Sequence, residues 1–280
     1  MASTSSPKAP QPAPWKSTFL DHLNKMDSPE FVFSSLHPAP KGSTTDYLPR
    51  ARYCIFRGFW AELPENKHNE APKNPRVYES ELPTFTSDIR MMKIPEVFGS
   101  GAGHASKDEQ MQGSGGGGPC EAVWWVKETG TQWRMKGEAF VVGEDIEGKG
   151  DQSKESSGVR TVKSEVGSRM RVVDESKQGD WSWATELTGH FGNNSPGIRG
   201  SFRAPPPGRP KSEPYDEENL KLGMKVEDLH DPVARKNFRV VVIKPESMEQ
   251  LDLSDPTKAY RHVYTFEDAS GEWKFQECWP

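Results

Sequence analysis

Cysteine is scarce in this chain. Only Cys54, Cys120 and Cys278 occur among 280 residues, an odd number, far apart and without a CxxC pair. That argues against a disulfide framework and a cysteine zinc site, and it suits a reducing compartment, so a cytoplasmic location is expected. The 7 histidines include no HExxH or other paired ligand spacing, so no metal is expected. Long apolar runs are missing as well. Nothing approaches the ~20 residues of a membrane-spanning helix. The stretch from Met1 to Pro14 has no apolar h-region and no arginine, which argues against a secretory signal and weakens a mitochondrial one.

An excess of positive charge is also lacking. Lys and Arg number 36 against 41 Asp and Glu, a net charge of -5, which argues against a general nucleic-acid binder. Hydrophobic residues make up only 33%, while Gly (25) and Pro (24) are plentiful. The expectation is a disordered tail over 1–13 and a single domain over 14–280. Flexible polar insertions are expected near 61–83, 99–119, 143–158 and 204–217. The run Gly115-Gly116-Gly117-Gly118 has neither the GKS/T ending of a P-loop nor GxGxxG after a strand, so it reads as linker.

What is present is a succession of short strands. The stretch from Tyr47 to Phe59 is β-prone around Tyr53-Cys54-Ile55-Phe56. Strands are also expected at Glu30 to Leu36 and Asn237 to Ile243, with hairpins at Glu121–Val126/Gln132–Val142 and Arg261–Phe266/Trp273–Cys278. Val240-Val241-Val242-Ile243 suggests burial on both faces. Helical spacing marks Trp15 to Met26 and Trp181 to Phe191, and Asp88 can cap a helix running to about Val97. Val159 to Asp174 is amphipathic but ambiguous, and a short helix is expected at Glu218 to Leu222. Many hairpins and few long helices give a mainly β fold, a small antiparallel barrel with peripheral helices.

Arg52 and Arg57 lie five positions apart, which puts them on opposite faces of a regular strand. On spacing alone they read as two solvated arginines. They reach one anion only if the strand twists, bulges or ends between them, and Gly58 offers an ending. Three further motifs follow in order: Thr86-Ser87-Asp88-Ile89-Arg90-Met91-Met92-Lys93, Gln132-Trp133-Arg134-Met135-Lys136-Gly137, and Tyr260-Arg261-His262-Val263-Tyr264.

In this order the motifs resemble the pyridoxamine 5'-phosphate oxidase-like FMN-binding family. The nearest branch reads approximately Arg-Thr-Val-Val-Phe-Arg-Gly-Phe, then Thr-Asp-x-Arg-Ser-x-Lys, then Gln-Phe-Arg-x-x-Gly. The resemblance covers about Trp15 to Pro280, broken by insertions. It implies the FMN-binding split β-barrel, FMN as cofactor, and a homodimer with a flavin at each end of the subunit interface.

Residue by residue, the resemblance carries the flavin role to Arg52, Arg57, Ser87, Lys93, Gln132 and Arg261. Their chemistry agrees with it. Arg52, Arg57 and Lys93 supply cations for a phosphate close to dianionic, with Arg90 a weaker fourth. Thr86 and Ser87 supply hydroxyl donors, and Gln132 offers a donor and an acceptor to the edge of the flavin ring. Trp183 lies where this branch usually has a tryptophan. Of the adjacent Trp124 and Trp125, strand alternation lets at most one wall a pocket.

Three positions depart from the family. Met91 stands in place of a serine, and Leu251 in place of a flavin-contacting tryptophan. The Arg-x-His pair that holds the vitamin substrate is replaced by Thr257 and Ala259, with Lys258 between them and His262 on the far side of Arg261. The reading is therefore an FMN-dependent oxidoreductase acting on an unidentified small donor, with no assignable catalytic residue. The alternatives are a flavin-binding protein without turnover and a barrel interaction module that has lost flavin.

Overall fold

The structure, a computed structural model, describes residues 9–99, 113–147 and 155–280. Among these, eight strands form one antiparallel sheet: β1 (Glu30–Pro38), β2 (Tyr47–Ile55), β4 (Thr84–Asp88), β5 (Gly115–Val126), β6 (Thr131–Val142), β8 (Phe238–Asp252), β9 (Tyr260–Glu267) and β10 (Glu272–Cys278). The short strands β3 (Tyr78–Ser80) and β7 (Met170–Val172) pair with each other. The order is β10-β9-β8-β6-β5-β1-β2, with β4 laid along the first part of β8.

The ladder does not close into a continuous barrel, but a seam joins its ends. Past β2, the Arg57 amide donates to the Thr84 carbonyl at 2.8 Å, and the Thr84 amide donates to the Gly58 carbonyl at 2.9 Å. Gly58 allows this because it sits at φ 97°, a conformation costly for a side-chain-bearing residue. β2 thus ends at Ile55, earlier than the expected strand through Phe59, and the chain turns while its amides stay paired.

β8 organises both cores. Val241 and Ile243 enter one with Phe31, Phe33, Phe85, Trp124 and Trp133; Val240 and Val242 enter another with Phe140, Leu187 and Phe191. The expected burial on both faces is therefore present. The strand also runs nine residues further, to Asp252, with Met248 and Gln250 buried. Its polar stretch Lys244-Pro245-Glu246-Ser247 hides this continuation, and a bulge opposite Lys136/Gly137 lets the ladder pass it.

Helix α1 (Lys16–Leu23) covers the first core. Phe19 meets Trp124 and Trp133 edge-on at 5.0 and 5.5 Å, and Trp15 is fully buried. Just before it, the Gln11 amide donates to the Gly271 carbonyl at 2.7 Å; the rest of the expected tail, 1–8, lies outside the described residues.

Helix α2 (Lys93–Gly99) starts later than the expected Asp88. Pro95 is tolerated only in a first helical turn, and Asp88 is still paired with Phe238 in the β4–β8 ladder. Helix α3 (Ser157–Gly167), capped by the Ser156 hydroxyl, resolves the ambiguous stretch and buries Val159, Val162 and Val166. Helix α4 (Trp183–Gly192) lies where a helix is expected, with the Ser182 hydroxyl accepting from the Thr185 amide.

The other differences are local. Glu218 to Leu222 forms turns rather than a helix. β5 begins at Gly115 instead of Glu121, so the glycine run read as linker is partly strand. A Cβ on Gly116 would lie 2.9 Å from both the Ala139 carbonyl and a Val97 methyl, so this strand passes its neighbours too closely for side chains. Residues 100–112 and 148–154 of the expected insertions lie outside the described residues.

Candidate functional site

The first group of predicted residues gathers where β2, β4 and α2 meet. Lys93 opens α2, half-buried, with its ammonium 3.3 Å from the Ser87 hydroxyl and 3.0 Å from the Met91 sulfur. Neither neighbour is charged, and Lys93 makes no ion pair among the described residues. Burial holds its pKa below the ordinary lysine value, with the Arg52 charge adding to the effect and Cys54, Asp88 and Glu96 opposing it. Ser87 is almost fully buried on β4, and Thr86 beside it is half-buried, paired with Val240.

Arg52 is engaged differently. Its guanidinium donates to the Glu96 carboxylate at 2.5 Å and to the Ser35 hydroxyl at 2.6 Å. Glu96, on α2, is only 2% exposed; it also accepts from Ser35 Oγ at 2.5 Å and faces His37 Nδ1 at 3.2 Å. Sequence reasoning missed Glu96, Ser35 and His37. The available signal is spacing: Glu96 follows Lys93 by three, which places both on one side of a helical turn. Ser35 and His37 carry no such mark.

Arg57 lies past the end of β2, on the segment whose backbone is paired with Thr84 of β4. Its Nε is buried with no hydrogen-bond partner, and burial lowers its pKa. Its charge lies near the fully buried His190, whose pKa burial and Arg57 together press down to about 3. His190 stacks on Trp60 and stands 3.8 Å from Glu186 Oε1. Glu186 accepts from the Ala61 amide and the Asn74 side chain, and burial pushes its pKa up to about 7. This pair on α4 was also missed; its i, i+4 spacing is a helix-face signal that any packed helix shares.

Arg90 is not available as a fourth cation. It pairs with Asp88 at 2.6 Å and its guanidinium donates to the Ala204 carbonyl at 3.0 Å, so it braces the segment that follows α4.

The second group lies across the sheet. Gln132 pairs with Trp125 on β5 and Leu251 on β8, and Leu251 pairs with Arg261 on β9. These four positions form one row. Gln132 is half-buried between the fully buried Thr131 and Trp133. Arg261 donates to Glu249 at 2.8 Å, which also holds Arg134 at 2.6 Å. Alternation separates the adjacent tryptophans: Trp124 is in the core, stacked on Phe31 at 4.6 Å, while Trp125 is 52% exposed.

The first group fits a phosphate. It offers a half-buried ammonium hydrogen-bonded only to neutral groups and a buried hydroxyl beside it. A flat row carrying Gln132 and Trp125 suits the face and edge of a ring.

An open antiparallel sheet of this order, fastened at the β2–β4 seam, has the architecture of a split barrel. Residues 12–143 match the family model described as pyridoxamine 5'-phosphate oxidase, FMN-binding domain. Its cofactor is FMN. The stretch holds six of the seven predicted residues, all but Arg261.

Among solved structures, the chain is similar to a pyridoxamine 5'-phosphate oxidase-related, FMN-binding protein from Nostoc punctiforme. The TM-score is 0.55 at 16% identity, over 96% of this chain and 100% of that one, a likeness of fold. PhzG from Burkholderia lata, solved with tetrahydrophenazine-1-carboxylic acid, aligns over 98% of this chain and 95% of its own at 13% identity and a TM-score of 0.46. No curated protein sequence matches.

Proposed function

We propose that the protein is an FMN-dependent oxidoreductase that takes electrons from a small donor. The observation that carries the reading is Lys93, a half-buried ammonium with only neutral partners, beside Ser87 in the family-matched segment. Bound FMN supplies the electron acceptor. In this reading Lys93, Ser87 and Arg57 hold its phosphate, Thr86 lines the approach, and Gln132 and Arg261 address the ring. Arg261 contributes through its sheet row and lies outside the matched segment.

Two chains are proposed to form a homodimer through the outward sheet face. Tyr53 is 77% and Trp125 52% exposed there, more than a lone subunit ordinarily leaves to water. No helix among the described residues is long and apolar enough to cross a membrane. The three cysteines are free thiols, which supports the cytoplasmic location read from the sequence.

One observation favours flavin binding without vitamin oxidation. Thr257, where the family pair begins, turns its hydroxyl onto its own turn residue Asp255 at 2.7 Å, and the Lys258 side chain is 83% exposed. Nothing in that turn replaces the missing Arg-x-His pair, so the donor is not expected to be pyridoxamine 5'-phosphate.

The test is an absorbance spectrum after incubation with FMN and desalting. Retained flavin bands in the wild type, lost in Lys93→Ala, support the reading. A colourless wild type overturns it. Bleaching of the bound flavin by a panel of anaerobic donors then separates an oxidoreductase from a flavin carrier.

A further inference from the structure

We propose that Glu96 is a built-in anion of the cofactor site. It occupies Arg52 in place of the phosphate and holds down the affinity for FMN. The inference deepens the flavin reading and rests on it.

Glu96 is the buried carboxylate of the cluster, with Arg52, Ser35 and His37 all directed at it. Arg52 sends one terminal nitrogen to Glu96 and the other to Ser35 and the Arg50 carbonyl. Its charge is thereby neutralised within the protein. Lys93 sits one helical turn before Glu96, hydrogen-bonded only to neutral groups, with Glu96 and Asp88 acting on its charge from beyond ion-pair distance. A phosphate drawn to Lys93 and Ser87 therefore approaches a carboxylate on the same turn of α2. That carboxylate is 2% exposed, so water and salt screen it weakly.

A purely structural clip between α2 and strands β1 and β2 predicts something else. The neutral isostere Gln keeps an oxygen for Arg52 and Ser35, so a clip would leave phosphate affinity unchanged. A resident anion predicts that the same change strengthens binding, because the repulsion is removed and Arg52 becomes free to share.

The full-length wild type, Glu96→Gln and Glu96→Asp are titrated with FMN by quenching of flavin fluorescence. Their melting temperatures are read with and without FMN and with inorganic phosphate. Glu96→Gln is expected to bind FMN roughly tenfold more tightly than wild type. Glu96→Asp, which keeps the charge, binds no more tightly. Without ligand Glu96→Gln melts lower, since Arg52 loses its counter-ion, and it regains more on adding FMN or phosphate than the wild type does.

A second arm guards against a misfolded variant. Arg52→Met alone takes the guanidinium from Glu96 and weakens FMN binding; adding Glu96→Gln to it restores the affinity. A direct phosphate contact from Arg52 predicts no restoration, and that result overturns the inference. A wild type that binds FMN together with a Glu96→Gln protein that binds equally or less tightly also overturns it, leaving the flavin reading intact. If no form binds FMN, the flavin reading falls and takes this inference with it.

Discussion

The imidazole of His190 lies flat against the indole of Trp60, 5° from parallel with ring centroids 5.6 Å apart. Below the stack, Glu186 accepts from the amide of Ala61, which is the one non-glycine described residue at positive φ, 66°. Helix α4 therefore holds the strained turn that follows Arg57, and it does so with two buried titratable groups of opposite sense.

Their pH dependences oppose each other. His190 is held near a pKa of 3, below its unfolded value of 6.5, so the unfolded chain binds the extra proton between these values and stability rises with pH across that window. Glu186 is held near 7, above its unfolded 4.5, so the folded chain binds the extra proton and stability falls as pH rises from 4.5 to 7. In Glu186→Gln the His190 effect stands alone. The expected result is a steeper rise of stability between pH 4.5 and 6.5 than in wild type, by up to about 1.4 kcal/mol per pH unit. Urea unfolding over that range measures it, and parallel curves would refute the assignment.

Lys93→Ala should separate binding from folding. The ammonium touches only Ser87 and Met91, so its loss should change stability by about 0.5 kcal/mol or less. FMN affinity should fall by about 1.5 to 3 kcal/mol, the worth of a charged hydrogen bond. Arg52→Ala should do the reverse in emphasis. It takes the guanidinium from the buried Glu96 and costs about 3 kcal/mol of stability. Denaturant midpoints and FMN titrations on both variants check the contrast.

The adjacent tryptophans offer a paired test of the sheet faces. Trp124→Ala removes a fully buried ring stacked on Phe31 and should cost about 3 to 5 kcal/mol. Trp125→Ala should leave the fold of a single subunit within about 0.5 kcal/mol and shift the sedimentation of the protein toward monomer. An unchanged sedimentation coefficient would remove Trp125 from the proposed dimer surface.

Gly137→Ala should be among the most damaging single-methyl changes. The added Cβ would sit 2.1 Å from the Lys244 carbonyl oxygen, at the bulge where β6 and β8 shift register. The β6 backbone cannot retreat, since Gly137 is paired with Cys120 of β5 on its other side. A melting temperature close to wild type would show that the bulge is more compliant than its geometry indicates.

Much of the fold was legible in the sequence because local patterns and tertiary environment agree. Val240 to Ile243 is apolar on every residue and is buried by a core on each side. Trp181 to Phe191 has helical spacing and a serine cap. The misreadings arose where a long-range contact overrides local composition. Gly115 to Gly118 looks like linker, yet it is strand because it pairs with Ala139 to Val141 of β6, and at Gly116 Val97 and Ala139 leave no room for a Cβ. Asp88 looks like a helix cap, yet the β8 ladder claims its backbone and Arg90 its carboxylate.

In the candidate site, the cations were picked out by their order along the chain, and Arg52, Arg57 and Lys93 all lie within the matched segment. The carboxylate that partners one of them was not readable. Glu96 is one acidic residue among 41 Asp and Glu, and only the folding of α2 against β1 brings it to Arg52.

The seam between β2 and β4 has a kinetic consequence. The amide of Arg57 fastens the barrel at Thr84, and the guanidinium of the same residue carries a charge whose buried Nε has no hydrogen-bond partner among the described residues. Opening the seam for solvent exchange must displace that charge, and anything that holds the charge must slow the opening. The Arg57 and Thr84 amide protons are thus natural timekeepers for occupancy of the site, readable by deuterium uptake without any knowledge of the electron donor.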